Sequence, residues 1–274
     1  MNLPQRILRA AKHWREMKHM PLRLEFVLTD WCNLNCKGCG HYSPLAPKDF
    51  ASLEKIKADM QHLGKIANDE VKQVYLMGGE TLLYPFLPEA MQALRNAFPS
   101  QEAYIFTNGL ILGKMDQEFW EAVKRNDFII AITHYPVNFD YKAVEELCLQ
   151  KGVKTKIFAD RGRDNSFFRF PLDPAGKQNK YISHFKCFNR GCVSVVDGYV
   201  YPCSISACIK HLNRTGKTDF KHRPGDRIPV KDIKNVCQIL KLRDNPVPFC
   251  SYCKPPQSVE YKHSDRKISE WVDE

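Results

Sequence analysis

The chain has no run of about 18 apolar residues, the length a helix needs to cross a bilayer. Its first twenty residues, MNLPQRILRAAKHWREMKHM, are basic but lack an apolar centre and a small-residue cleavage site, so they do not read as a secretory signal. Instead Ile7, Leu8, Ala11 and Trp14 fall on one face of a short amphipathic helix. Residues 1–21 are therefore expected to form an N-terminal helical arm packed on the domain. No internal repeat and no low-complexity tract is present, which sets repeat architectures aside. No module interleaves aromatic and basic residues, so nucleic acid is not an expected partner. What remains is a chain expected to be cytoplasmic. Its 274 residues, 43% of them hydrophobic, can bury the core of one large domain or of one domain plus a small module.

Charge is unevenly spread. Residues 1–150 hold 17 Lys+Arg against 18 Asp+Glu, a net −1, and residues 151–274 hold 24 against 13, a net +11. Much of that excess lies in KHLNRTGKTDFKHRPGDR, residues 210–227. Such a block is either a solvated loop or an attractor for something acidic.

From residue 22 the pattern alternates. Strands are predicted at 22–29, 73–78, 102–108, 128–133 and 154–160, where branched and aromatic residues concentrate. Helical spacing intervenes at 51–68, with Ser52 as cap, and at 86–98, 116–126 and 141–152, the last stopped by Gly152. Strand–helix repetition predicts a parallel sheet. A sixth strand is expected near 181–186. VSVVDGYVYPC reads as a hairpin turning at Asp197-Gly198, and VKDIKNVCQILKL as a late helix. The predicted fold is α/β: a partial (β/α)6 TIM-like barrel over 22–185, followed by a small C-terminal hairpin-plus-helix module over 186–274. In parallel folds of this kind functional groups gather at the C-terminal strand ends. The three cysteines of CNLNCKGC, then GGE (78–80), TNG (107–109), THY (133–135) and DRGR (160–163), all follow successive strands.

Eleven cysteines are too many to ignore, and a disulfide framework does not suit a reducing compartment. Cys148 and Cys237 lie on the apolar faces of helical patterns and are expected to be buried core residues. The others group as Cys32, Cys36 and Cys39, and as Cys187, Cys192, Cys203, Cys208, Cys250 and Cys253. Three thiolates can hold three irons of a [4Fe–4S] cluster and leave the fourth iron open for a reactant. The structural alternative is a zinc site completed by a distant ligand such as His41.

CNLNCKGC resembles the C-x3-C-x2-C signature of the radical SAM superfamily, over roughly residues 22–185, and MGGE and the strand–helix order agree with it. The resemblance implies that S-adenosylmethionine chelates the open iron, and that its reductive cleavage to a 5′-deoxyadenosyl radical allows hydrogen abstraction from substrate. It implies an electron donor such as flavodoxin or ferredoxin. Gly78, Gly79 and Glu80 would meet the methionine ammonium, with Asn108 and Thr133 at ribose or carboxylate. The family usually places an aromatic residue just before the third cysteine, where this chain has Gly38. Adenine packing is then expected from His41 or Tyr42.

The late cysteines resemble the C-terminal SPASM/twitch extension. No cysteine follows Cys253, which favours the shorter twitch form with one auxiliary [4Fe–4S] cluster on Cys187, Cys203, Cys250 and Cys253. Cys192 and Cys208 are rivals for those places, and a zinc knuckle is the alternative. Residues 1–21 are too few for a peptide-recognition domain, and Arg161 and Arg163 suit a carboxylate or phosphate. A small anionic or sugar-like metabolite is the expected substrate, with oxidation as the outcome. Epimerisation, peptide maturation, and a zinc-stabilised basic binding protein stay open. His134, Tyr135, His184, Cys192 and Cys208 are the candidates for acid, base or hydrogen donor.

Overall fold

The computed structural model describes residues 20–158 and 166–273. The first strand, β1 (Leu22–Thr29), is buried on both faces. Leu24, Phe26 and Leu28 face outward and are buried, under helices α1 (Leu53–Ala67) and α2 (Leu87–Ala97). Those helices cover the sheet with one apolar stripe each: Ile56, Met60, Leu63 and Ala67 on the first, Leu87, Ala90, Met91 and Leu94 on the second. Strands β2 (Val71–Gly78), β3 (Glu102–Thr107), β4 (Phe128–Thr133) and β5 (Lys154–Phe158) add in parallel, each to the one before. Helices α3 (Gln117–Arg125) and α4 (Tyr141–Gln150) form the crossovers. Gly152 ends α4 with φ +67°, the left-handed turn glycine makes without penalty. Ser52 stands at the cap of α1, but its hydroxyl makes no capping bond.

The predicted sixth strand is instead helix α5 (Lys180–Lys186), preceded by a short strand β6 (Ser166–Arg169). The Asn179 side chain accepts the N–H groups of Tyr181 and Ile182 and so nucleates a helix where apolar residues had looked strand-like. The sixth parallel strand comes from the hairpin: β7 (Cys192–Val196) pairs in parallel with β1 on its free side. Then β8 (Tyr199–Tyr201) and β9 (Ile228–Pro229) add antiparallel. The order β5-β4-β3-β2-β1-β7-β8-β9 makes an open, six-parallel-strand partial barrel. The sheet therefore runs without a break across residue 185. Its edges are guarded by the exposed Lys154 and Lys156 in β5 and by Pro229 in β9.

The remaining elements are two single turns, α6 (Ser204–Ala207) and α7 (Lys210–Asn213), helix α8 (Val236–Asp244) and strand β10 (Gln257–Glu260), which pairs antiparallel with β6. The late helix starts six residues after its predicted start at 230, because Gln238 accepts the N–H groups of Lys234 and Asn235 and caps it there. Cys148 is buried as expected, but Cys237 is exposed, because α8 turns Ile239 and Leu242 inward instead. The N-terminal arm, apart from Met20 and Pro21, lies outside the described residues, as do Arg161 and Arg163. No helix among the described residues is long and apolar enough to cross a membrane.

Candidate functional site

The loop Cys32–Cys39 leaves the C-terminal end of β1 and is held by backbone contact with the end of β2. Gly79 N–H donates to Thr29 C=O at 2.7 Å, and Glu80 N–H to Trp31 C=O at 2.9 Å. A Cβ at Gly78 would stand 1.9 Å from the Thr29 carbonyl oxygen, and one at Gly79 2.4 Å from those of Asp30 and Trp31. Both positions therefore require glycine, and the loop's entry rests directly on them.

Glu80 is fully buried and braces the next strand end. Its Oε1 accepts from Leu82 N–H (3.0 Å) and Thr107 Oγ1–H (2.7 Å), and its Oε2 from Asn108 N–H (2.8 Å). Burial raises its carboxyl above the usual range, and these three bonds offset part of that rise. Asn108 reaches back: its Nδ2 donates to Asn33 Oδ1 at 2.7 Å and lies 3.8 Å from Cys32 Sγ. A chain of contacts thus ties GGE, the TNG turn and the first cysteine together. Thr133 is buried at the end of β4.

Burial raises the thiols of Cys32 and Cys36, that of Cys36 to about 12. Cys39 adds to both, and the Glu80 charge adds to Cys32. Desolvated thiols crowded by one another and by a carboxylate are stable as thiolates only around a cation. Three such thiols on one loop could hold three irons of a cluster.

The far end of the chain closes over this loop. Ser264 N–H donates to Asn35 C=O (2.8 Å), Lys37 N–H to Lys262 C=O (2.9 Å), and Trp271 Nε1–H to Cys39 C=O (2.9 Å). Tyr261 Oη lies 3.7 Å from Cys36 Sγ. Tyr261, Phe167 and Tyr135 pack with ring centroids 5.9 to 6.3 Å apart and form an aromatic wall beside the cysteines with Leu110 and Val137. Tyr261, Phe167 and Trp271 carry no local motif that would have pointed to them.

Tyr42 does not stand at an open adenine position. It is fully buried, packs on Trp271 at 6.1 Å, and its hydroxyl lies 3.4 Å from Ile205 C=O. His41 turns to Asp30 and Cys208. His134 stacks on Tyr141 and points Nε2 at Glu145, 3.0 Å away. Of His134 and Tyr135, only Tyr135 packs beside the cysteine loop.

Cys187, Cys203, Cys250 and Cys253 line a second, apolar cavity, together with His184 and Phe249. Cys187, Cys203 and Cys250 all raise the thiol of Cys253 after burial does, and all eleven cysteines of the chain are free. Four partly buried cysteines around one cavity fit a closed tetrathiolate site. Cys192 and Cys208 point elsewhere. Cys192 pairs with Arg23 at the opposite end of β1 and hydrogen-bonds the buried Glu25, and Cys208 faces Asp30. The basic block is largely committed internally. Arg223 donates to Pro248 C=O and Ser251 Oγ, Arg227 covers the Tyr199 ring at 4.0 Å, and Lys210 pairs with Asp197.

A family model described as "Radical SAM superfamily" matches residues 26–148. The chain is 28% identical to a GTP 3',8-cyclase of Staphylococcus carnosus (strain TM300), over 55% of this chain and 54% of that one. It thus spans about half the length of that relative. Among solved structures it is similar to BtrN in complex with AdoMet and 2-DOIA, with TM-score 0.52 and 16% identity over 86% of this chain and 93% of that one. It is also similar to anSMEcpe with bound AdoMet, with TM-score 0.40 and 17% identity over 49% and 43%.

Proposed function

We propose that the chain, whose residues 26–148 match the radical SAM superfamily model, cleaves S-adenosylmethionine reductively and oxidises a small anionic or sugar-like metabolite. The observation that carries the reading is the loop of Cys32, Cys36 and Cys39 seated on Gly78-Gly79-Glu80 at the strand ends. When bound, a [4Fe–4S] cluster on those thiols supplies the single electron that cleaves S-adenosylmethionine, fed by a donor such as flavodoxin or ferredoxin.

The chain's own residues do the rest. Gly78 and Gly79 let the loop's entry pack directly on the end of β2, and Glu80 beside them offers a carboxyl group toward the methionine ammonium. Asn108 and Thr133 offer polar groups at the next two strand ends. Tyr135, Phe167 and Tyr261 exclude water beside the cluster and offer flat apolar surface for adenine, the role Tyr42 cannot fill. Cys187, Cys203, Cys250 and Cys253 would hold an auxiliary cluster, closed by four ligands and so suited to electron transfer. Overall similarity to the BtrN fold, which spans 86% of this chain, supports a small-molecule substrate over a peptide. The burial of Cys208 and the distant position of Cys192 weigh against thiol hydrogen donation, and hence against epimerisation.

Iron and acid-labile sulfide per chain test this after anaerobic reconstitution. Two clusters give about eight irons, and replacing Cys32, Cys36 and Cys39 together with Ala leaves about four and abolishes formation of 5′-deoxyadenosine. Zinc in place of iron at both sets would overturn the reading, and about four irons falling to none would remove the auxiliary cluster from it.

A further inference from the structure

Asp30, at the mouth of β1, is 7% exposed and is used by neither cysteine set. Its Oδ1 lies 3.2 Å from Cys208 Sγ and 3.5 Å from His41 Nδ1, and those two atoms are 3.6 Å apart. Three donors of different chemistry, sulfur, nitrogen and oxygen, thus form a nearly equilateral triangle. A tetrahedral zinc with bonds of about 2.3 Å to sulfur and about 2.0–2.1 Å to nitrogen and oxygen demands triangle edges of about 3.3 to 3.6 Å. The two edges that meet at His41 Nδ1 fall within that range, and the oxygen–sulfur edge, at 3.2 Å, needs to open by a few tenths of an ångström.

The surroundings are arranged as a ligand's supports usually are. The other carboxylate oxygen, Oδ2, accepts from His211 Nε2 at 2.7 Å and lies 3.9 Å from Lys210 Nζ. Partners on the second oxygen fix a ligating carboxylate's direction. His211 is 4% exposed and Cys208 fully buried, so the geometry is held by packing. A crevice lined by Asp30, Asp49, Asp197, Lys210 and His211 opens beside the group and offers an entry path. We propose that Asp30, His41 and Cys208 bind one Zn2+, with water in the fourth position.

Such an ion would join three distant parts of the chain. Asp30 belongs to the end of β1, His41 follows Cys39 by two residues, and Cys208 follows the turn α6. A zinc there would anchor the exit of the three-cysteine loop to the segment after the hairpin. The inference does not rest on the proposed reaction: it would stand if the cysteine sets held a different cluster.

The test uses reconstituted holoenzyme, whose cluster cysteines are filled with iron, exposed to ZnSO4 and desalted. About one zinc per chain is expected, and X-ray absorption at the zinc edge should show one sulfur with nitrogen and oxygen neighbours. Cys208→Ser and Asp30→Asn should each lose the zinc while iron per chain and the far-ultraviolet circular dichroism stay unchanged. A holoenzyme that retains no zinc, or one whose zinc has an all-sulfur shell, would overturn the proposal. The wild-type absorption spectrum decides the matter even if a variant fails to fold.

Discussion

Glu80→Gln separates a structural role for this residue from a purely ligand-binding one. The carboxylate accepts three hydrogen bonds, two at Oε1 and one at Oε2. A glutamine oxygen can keep Leu82 N–H and Thr107 Oγ1–H. Its amide nitrogen then faces Asn108 N–H, donor against donor. One charge-assisted bond is lost and a buried N–H is left without an acceptor, a combined cost of about 2–3 kcal/mol. Relief from burying a charge returns part of this, so the net loss is about 1–2 kcal/mol. For a chain of this size that lowers Tm by about 2–8 °C. The assay is thermal unfolding of the cluster-loaded protein without S-adenosylmethionine, alongside calorimetric binding of S-adenosylmethionine. A variant with unchanged Tm and weakened binding would refute the brace and make Glu80 a ligand contact only. A fall in both supports the chain of contacts from Glu80 through Asn108 to Cys32.

Gly78→Ala puts a methyl group 1.9 Å from the Thr29 carbonyl oxygen, a backbone atom that cannot swing away. Overpacking of this kind costs about 1–3 kcal/mol or more, and the variant should retain fewer irons per chain than wild type, whereas Gly113→Ala, with open space around it, should not. Trp271→Ala removes a buried indole and its bond to Cys39 C=O. We expect a loss of about 3–5 kcal/mol and lower iron retention, while Trp271→Phe keeps most of the packing; equal iron in all three proteins would remove the tail from the site. Burial, with the charge of Asp197 adding and His62 opposing, raises the Asp59 carboxyl to about 6. The folded state then keeps a proton that the unfolded chain releases near pH 4, so stability falls as pH rises from about 4 to about 6 and is level above. Solvent screening at this half-buried position limits the effect to about 1 kcal/mol. Asp59→Asn should therefore gain that amount at pH 7.5 and nothing at pH 4 in urea unfolding, and a gain equal at both values would contradict the assignment.

Local patterning made the first five strands and their helices legible. Alternation in LRLEFVLT and the stripes of α1 and α2 arise from nearest neighbours, and the observed ends fall within two residues of those expected over most of this span. The hairpin at Asp197-Gly198 was equally plain, since both turn residues take positive φ, 50° and 78°. What its first strand pairs with was not. CVSVV carries no mark that distinguishes a free hairpin from a sixth parallel strand, because the choice is made by the unpaired side of β1, about 170 residues earlier. The same limit hid Tyr42's burial: its neighbours Trp271 and Ile205 are contributed from far along the chain.

The tail also explains how the two cysteine sets can share one framework. Leu172 donates its N–H to Trp271 C=O and forms an isolated bridge with Cys253, while Trp271 itself donates to Cys39 C=O. Arg169 spans the same seam, bonding Glu270 C=O (2.8 Å) and pairing with Asp273, and its Cγ would meet a Cβ at Gly38 at 3.3 Å. Gly38 also takes φ +73°, a conformation strained for any other residue. An aromatic side chain there would need both a left-handed backbone and the space Arg169 fills. Glycine at position 38 thus suits a tail that packs against the loop. Tyr261, carried in by the same tail, sets an aromatic ring beside Cys36.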